Sequence, residues 1–485
     1  MKTRLGFFLA LPLLLSASQA ALAAATPEEA ARLTTVFQTY LTAEPGVVKV
    51  EPDGDDYAVT LDIAPLAAKA ASAGAIIALS PVKLTLSDAG DGKWNVSQEG
   101  PLSFSVKAAE AVTADVKIED YSWEGVFDET LSTFSESSAE LKNITLAETV
   151  NDPSQGKTDI SLSIKGMKIE QTAKAGAAGG ADLTAKYEMD TLSETLNTGG
   201  NPASGIPPMS VVMTAANGTY DTSATGMKVK SVFDLVSFFV SHTSEELIKK
   251  DQVALKTMLA SGLPIFENVQ ASGTFNTINI ATPMGPAGAE SITIGADING
   301  VVKEGKLRES ISISGLSVPP AIVPPWATTL VPKNLTFDFS ISGFDLAAPA
   351  QLILAGLDLT KDKPLPDGFE ATLLPAVLPT GNATITFNPT SVSNDLYSVN
   401  AEGSMTVGPT AMPSGKATIS AKGLDEVLKV IQAAPPEAGV QSGVAIVIAA
   451  KGMGKAAADG TLTWEIESTP DAKVLVNGID VSKMQ

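Results

Sequence analysis

Cysteine is absent and histidine occurs once, which removes two large classes of chemistry before any pattern is read. Without thiols there is no disulfide, no thiolate nucleophile, no zinc ribbon and no iron–sulfur cluster. A single imidazole excludes any site that needs two. Aromatic residues make up 5% of the chain, too few for the girdles of an outer-membrane barrel. Positive charge is also scarce. The 33 Lys and Arg face 54 Asp and Glu, a net charge of −21, which disfavours nucleic acid and anionic headgroups as principal partners. Beyond the N-terminus, no segment reaches the ~18 apolar residues of a membrane helix. What the chain does have is 44% hydrophobic residues over 485 positions, ample for a folded core and for roughly two to four domains.

Residues 1–23 read as a secretory signal peptide. Met1-Lys2-Thr3-Arg4 is a short basic start, residues 5–15 are apolar, and Ala21-Leu22-Ala23 offers a small-residue cleavage site. The mature protein is expected to begin near Ala24 and to be periplasmic and soluble. An N-terminal anchor that is never cleaved is the alternative.

A helix opens the mature chain, with Thr26 as cap, Pro27 at the first position and Glu28 and Glu29 at the positive dipole end. Its apolar stripe is Leu33, Val36, Phe37, Tyr40 and Leu41. The period then becomes two. Tyr57, Val59 and Leu61 alternate with polar residues, and so do Ile292 and Ile294, Ile311 and Ile313, Phe337 and Phe339, Ile385 and Phe387, and Leu462 and Trp464. Turn pairs such as Asp53-Gly54, Asn299-Gly300, Asp459-Gly460 and Asn477-Gly478 separate them. The pattern predicts a mainly β protein, a long antiparallel meander of roughly 20 to 30 strands with about three to five amphipathic helices. Residues 231–262 predict a helix in two pieces, and residues 424–434 predict another; residues 64–78 are ambiguous. Six strand ends carry a Gly followed by an apolar residue, at Gly166, Gly226, Gly315, Gly343, Gly423 and Gly452. This irregular repeat divides the chain into an N-terminal β-rich half over 24–264, connecting strands with a Pro-rich linker over 265–335, and a C-terminal β-rich half with one helix over 336–485. So few helices cannot cover so many one-sided strands. Either the sheets pack on each other as a sandwich, or a curved sheet leaves an apolar groove partly open.

The candidate chemistry is thin. His242 lies between Ser241 and Ser244, but no nucleophile elbow surrounds it and a helix joint is the plainer setting. Residues 151–158 miss a phosphate loop by one glycine and precede a strand rather than a helix. The acidic turns at 53–56 and 88–91 lack the spacing of a calcium loop. Trp94, Trp123, Trp326 and Trp464 are scattered as core or edge anchors, and residues 452–460 read as a hairpin turn. Paired carboxylates cannot be singled out among 54 acids. No catalytic, cofactor-binding or metal-binding residue is therefore assigned, no cofactor is expected, and ligand-binding residues stay open.

In the C-terminal third, four stretches look familiar. They are Gly415-Lys-Ala-Thr-Ile-Ser-Ala-Lys-Gly-Leu-Asp-Glu-Val-Leu, an expected strand over 444–450, Asp459-Gly-Thr-Leu-Thr-Trp, and Val474-Leu-Val-Asn-Gly-Ile. Together they resemble an uncharacterised alphaproteobacterial periplasmic domain-of-unknown-function family, distantly YdgA-like and AsmA-like. The resemblance implies an exported, non-enzymatic envelope protein with long β-sheets and a link to lipid handling. It carries over no site residue. The expected function is non-enzymatic binding of a lipid or other apolar ligand on a sheet face, or alternatively binding of an envelope protein through sheet edges. A carboxylate hydrolase is the third reading.

Overall fold

The structure, a computed structural model, describes residues 24–71, 75–108, 111–152, 156–177, 179–200, 205, 207–409 and 411–482. The expected signal segment, residues 153–155 of the phosphate-loop look-alike and the last three residues lie outside the described residues. The chain is mainly β. Among the described residues, twenty-two strands join one antiparallel sheet that does not close on itself. In chain order the first half runs α1 (Pro27–Tyr40), β1 (Val48–Asp53), β2 (Asp56–Leu61), α2 (Ala64–Ala71), β3 (Ala75–Leu79), β4 (Val82–Gly90), β5 (Lys93–Glu99), β6 (Leu102–Ala108), β7 (Val112–Asp128), β8 (Thr133–Asp152), β9 (Gly156–Ala175), β10 (Ala181–Thr198) and β11 (Met209–Met227). Then come α3 (Val229–Ser241), α4 (Glu245–Lys250) and α5 (Gln252–Gly262). The rest is β12 (Asn268–Thr282), β13 (Gly285–Asn299), β14 (Gly305–Ser314), β15 (Asn334–Phe344), α6 (Ala347–Gly356), α7 (Glu370–Val377), β16 (Ala383–Ser393), β17 (Ser398–Val407), β18 (Ser414–Lys422), α8 (Leu424–Gln432), α9 (Gln441–Met453), β19 (Lys455–Ala456), β20 (Leu462–Ser468), β21 (Val474–Val476) and β22 (Ile479–Asp480).

Two compact units emerge. The first holds residues up to 151 with 164–187 and 223–265; the second holds 152–163, 188–222 and everything from 266 onward. The first has a conventional core. Thr26 caps α1 by accepting the Glu29 amide, as expected, and the helix buries Ala30, Leu33 and Phe37. They pack with Val48, Tyr57, Val59, Leu86, Trp94, Val96 and Phe127 from the sheet beneath. The pairing β1–β2–β4–β5–β7 gives every second residue of these strands to that core. The long strand β7 takes β5 along its C-terminal half, β6 along its N-terminal half and β8 on its other side.

The glycine repeat has a structural meaning at four of its six positions. Gly226, Gly315, Gly343 and Gly423 all hold positive φ at or beside a strand end. That conformation suits glycine, which has no Cβ to clash, and it turns the chain out of the sheet. Three of the four strands lead into a helix, α3, α6 or α8. At Gly423 the requirement is double: φ is +82°, and an added Cβ would lie 2.0 Å from the Leu396 carbonyl oxygen. Gly166 sits inside β9 and Gly452 inside α9, so the pattern there is coincidental.

Several expectations need correction. Residues 444–450 are not a strand but the middle of α9. Their β-branched run favours a strand locally, yet β18 pairs directly with β20 and leaves no place in the sheet between them. Nine α-helices occur among the described residues, more than three to five. The additional ones include α6 and α7. Asp345 marks the start of α6 by accepting the Ala348 amide at 2.9 Å, with Pro349 in the first turn. The ambiguous stretch 64–78 divides into α2 and β3, and 231–262 divides into α3, α4 and α5. The Pro-rich stretch joins β14 to β15, which pair with each other, and holds two 3-10 turns at Pro320–Ile322 and Pro325–Leu330.

The alternation also slips by one residue at Thr277, where φ is +54°. Pairing skips that residue, running from Asn276–Ser291 to Ile278–Ala289. Phe275 and Ile278 consequently meet in one small cluster with Ala215 and Ala289. A β-branched residue is strained there. Thr277→Gly is expected to raise stability by about 1 kcal/mol, whereas Gly423→Ala should cost about 3 kcal/mol, both read from urea unfolding midpoints at constant slope. Equal and small effects at the two positions would show that neither backbone is strained.

Candidate functional site

From β12 to β18 and on to β20, neighbouring strands pair in register for most of their length, so side chains form rows that cross the sheet. One row runs Phe275, Ile292, Ile313, Leu335, Val392, Val399, Ala421 and Leu462. Another carries Ile294, Ile311 and Phe337 on β13–β15, and a third carries Ala296, Glu309, Phe339, Phe387, Gly403, Ala417 and Ile466. The fourth has Ile298, Leu307, Ile341, Ile385 and Met405. Eight strands at ~4.8 Å spacing make this face about 34 Å wide. Glu309 is the one charged side chain on these rows.

Among the described residues, cover for this face comes from α8, α9 and the Pro-rich turn. Trp464 is buried and its indole donates to the Ala450 carbonyl of α9 at 2.8 Å. Ala421, Leu428 of α8 and Ala434 are buried as well. Tyr397 donates its hydroxyl proton to Leu330 in the Pro-rich turn at 3.1 Å. In the middle of the face, Ile294, Ile298, Ile311, Phe337 and Phe387 are 38–45% exposed. An aliphatic face left open over four adjacent strands is far more than scattered surface hydrophobics. Of the two arrangements left open by the alternation, the second unit shows the uncovered one.

The opposite face is polar and knits itself together sideways. Hydroxyls pair across strands at Thr274–Thr293, Ser291–Ser314 and Ser312–Thr336, 2.8–3.1 Å apart. Lys306 reaches Asp297 at 2.7 Å. At its centre lies Asp338, only 7% exposed. Arg308 donates to both of its carboxylate oxygens and Asn388 donates to one, at 2.8 Å. The Arg308 guanidinium holds the Asp338 carboxyl below the usual range, against the opposing effect of burial, with Asn388 assisting.

The residues weighed for catalysis are spread out and otherwise employed. His242 ends α3: its ring stacks on Phe238 at 3.8 Å, Nδ1 lies 2.7 Å from the Phe238 carbonyl, and Nε2 lies 2.9 Å from Asp251. The Ser241 hydroxyl lies within 3.0 Å of the Ser237 and Phe238 carbonyls and 3.0 Å from His242 Nδ1. Because Nδ1 donates its proton to the Phe238 carbonyl, it cannot take one from Ser241. Ser244 caps α4. Trp94 is in the first core and donates to Glu129 at 3.1 Å, where burial pushes the Glu129 carboxyl up. Trp123 packs edge-on against Phe134, and Trp326 lies in a 3-10 turn. The acidic turn 53–56 is an exposed hairpin. Among the described residues no group of three or more His, Asp or Glu is placed to hold a metal ion. A depression of about 470 Å³ beside α8 is lined by charges that pair with one another, Lys422 with Asp459 at 3.7 Å and Asp425 with Lys451.

The open face therefore offers neither a nucleophile nor a hydrogen-bond array; it offers alkyl surface. Sequence reasoning marked most of its strands but not its openness, which depends on where the helices fall. No protein family, curated protein or solved structure matches the chain.

Two measurements follow. Ile311→Ser and Phe337→Ser should each change stability by no more than about 0.5–1 kcal/mol, because these side chains are already wet, whereas Leu33→Ala should cost about 3 kcal/mol. The serine variants should nevertheless lower the fluorescence of an apolar dye bound to the native protein; unchanged dye binding would mean that the face is covered in solution. For Asp338, the depressed folded pKa means that its stabilisation is complete above the unfolded value near 3.9 and is lost as pH falls through the folded value. Asp338→Asn should therefore flatten the decline of melting temperature below about pH 4 and lower it at neutral pH.

Proposed function

We propose that this protein binds the acyl chains of lipids on the open face of β12–β18 and β20, without catalysis, in the bacterial periplasm. The observation that carries the reading is the exposed centre of that face, Ile294, Ile298, Ile311, Phe337 and Phe387, on a sheet whose other side carries mostly Ser, Thr, Asp and Lys. Alkyl chains demand surface of this kind and no hydrogen bonds. A sugar or nucleotide would demand donors and acceptors that these rows lack. The basic and apolar N-terminal segment with its small-residue site supports export, as does the resemblance of the C-terminal third to AsmA-like envelope proteins. No helix among the described residues is long and apolar enough to cross a membrane.

The test is native mass spectrometry of the full chain purified from the periplasm, with lipid extraction of the same sample. Phospholipid at one or more equivalents is expected, and it should fall severalfold in the double variant Ile311→Glu, Phe337→Glu with the melting temperature nearly unchanged. A lipid-free monomer sinks the reading. A lipid-free dimer whose dissociation exposes the dye-binding surface would mean that a second copy covers the face instead.

A further inference from the structure

Glu309 is out of place by every local rule. Its partners in register are Ala296 on one side and Phe339 on the other, so its carboxylate stands on the apolar face of β14, a central strand. Charges that point inward to blunt aggregation belong on edge strands. Here both edges of the strand are already paired, so that explanation fails. The side chain is exposed, and none of the rows crossing the face supplies a cation to it.

Its surroundings are aromatic in a protein that has few aromatics. Phe339 lies directly across from it, Phe387 lies across from Phe339, and Phe337 is two residues along the same strand on the same face. The ring centres of Phe337 and Phe339 are 5.6 Å apart, and those of Phe337 and Phe387 are 6.4 Å apart. Phe337 and Phe387 are 45% and 40% exposed, so their rings are available. A carboxylate directly across from one phenyl ring, with two more within two strands of it, is suited to a cation. The carboxylate supplies the opposite charge, and the rings present their negative faces to an ammonium group. An anionic headgroup would be repelled by Glu309 and by the net charge of −21.

We propose that Glu309 with Phe337, Phe339 and Phe387 selects lipids whose headgroup carries an ammonium, primary or quaternary. The inference rests on the acyl-chain reading of the same face and adds headgroup selectivity to it. Glu309 acts here as a specificity residue, while the aliphatic rows hold the chains.

The experiment offers the full chain vesicles containing equal amounts of phosphatidylethanolamine and phosphatidylglycerol with identical acyl chains. The protein is re-isolated and the two bound lipids are counted by native mass spectrometry. The wild type should take the ethanolamine lipid in roughly tenfold preference. Glu309→Gln should bring the ratio close to one, and Glu309→Lys should reverse it. Phe339→Leu, which keeps the surface apolar, should lower the preference. Equal uptake of both lipids by the wild type, or a preference that survives Glu309→Lys, overturns the headgroup inference and leaves acyl binding intact. Absence of both lipids from a correctly folded wild type removes the acyl-chain reading and this inference together.

Discussion

Backbone pairing between successive strands is the constraint on which the second unit depends. Each strand from β12 to β18 hydrogen-bonds to its immediate successor, and β18 then takes β20. Because side chains alternate with a period of two, fixing the register of one hairpin fixes which face every residue of the next strand occupies. A slip of one residue anywhere would put Ser, Thr, Asp and Lys among the isoleucines. The two bulges near Thr336–Phe339 and Phe387–Thr390 absorb their irregularity locally, and the rows resume on the same side beyond them.

The two units answer the same problem differently. In the first, α1 lies across the strands and buries Leu33 and Phe37 completely enough to make an ordinary core. In the second, α6 and α8 leave strand ends at the glycine joints Gly343 and Gly423, and Ile294, Ile298, Ile311, Phe337 and Phe387 in the middle of the face stay 38–45% exposed. Stability there has to come from the backbone ladders and from the hydroxyl and Arg308–Asp338 bonds of the polar side. The apolar side contributes little to folding while it stays uncovered. Burying each of those half-exposed side chains under an alkyl chain would release about 25 cal/mol per Å² of covered apolar surface.

Much of this was legible in the sequence. Strand alternation, the Thr26 cap, the broken helix over 231–262 and the hairpin turns are local signals, and local signals report themselves. The helix at 441–453 was not legible, because Val444, Ile446, Val447 and Ile448 are good strand formers and only the direct pairing of β18 with β20 excludes them from the sheet. For α6 a signal existed in Asp345 with Pro349 four residues on, behind the strand end at Gly343. Glu309 could not be singled out among 54 acids. Its neighbours in sequence, Arg308 and Ser310, belong to the other face, and its neighbour in space, Phe339, is thirty positions away. Openness was equally hidden, since a closed core and an uncovered face require the same alternating strand.

A sheet face that stands open has no central jigsaw to be re-solved when its size changes. One hairpin more or fewer would widen or narrow the apolar face by about 10 Å, two strand spacings, while leaving every other row as it was. Width is thus a modular quantity in this architecture, set by counting hairpins, and so is the number of alkyl chains that could lie side by side upon it.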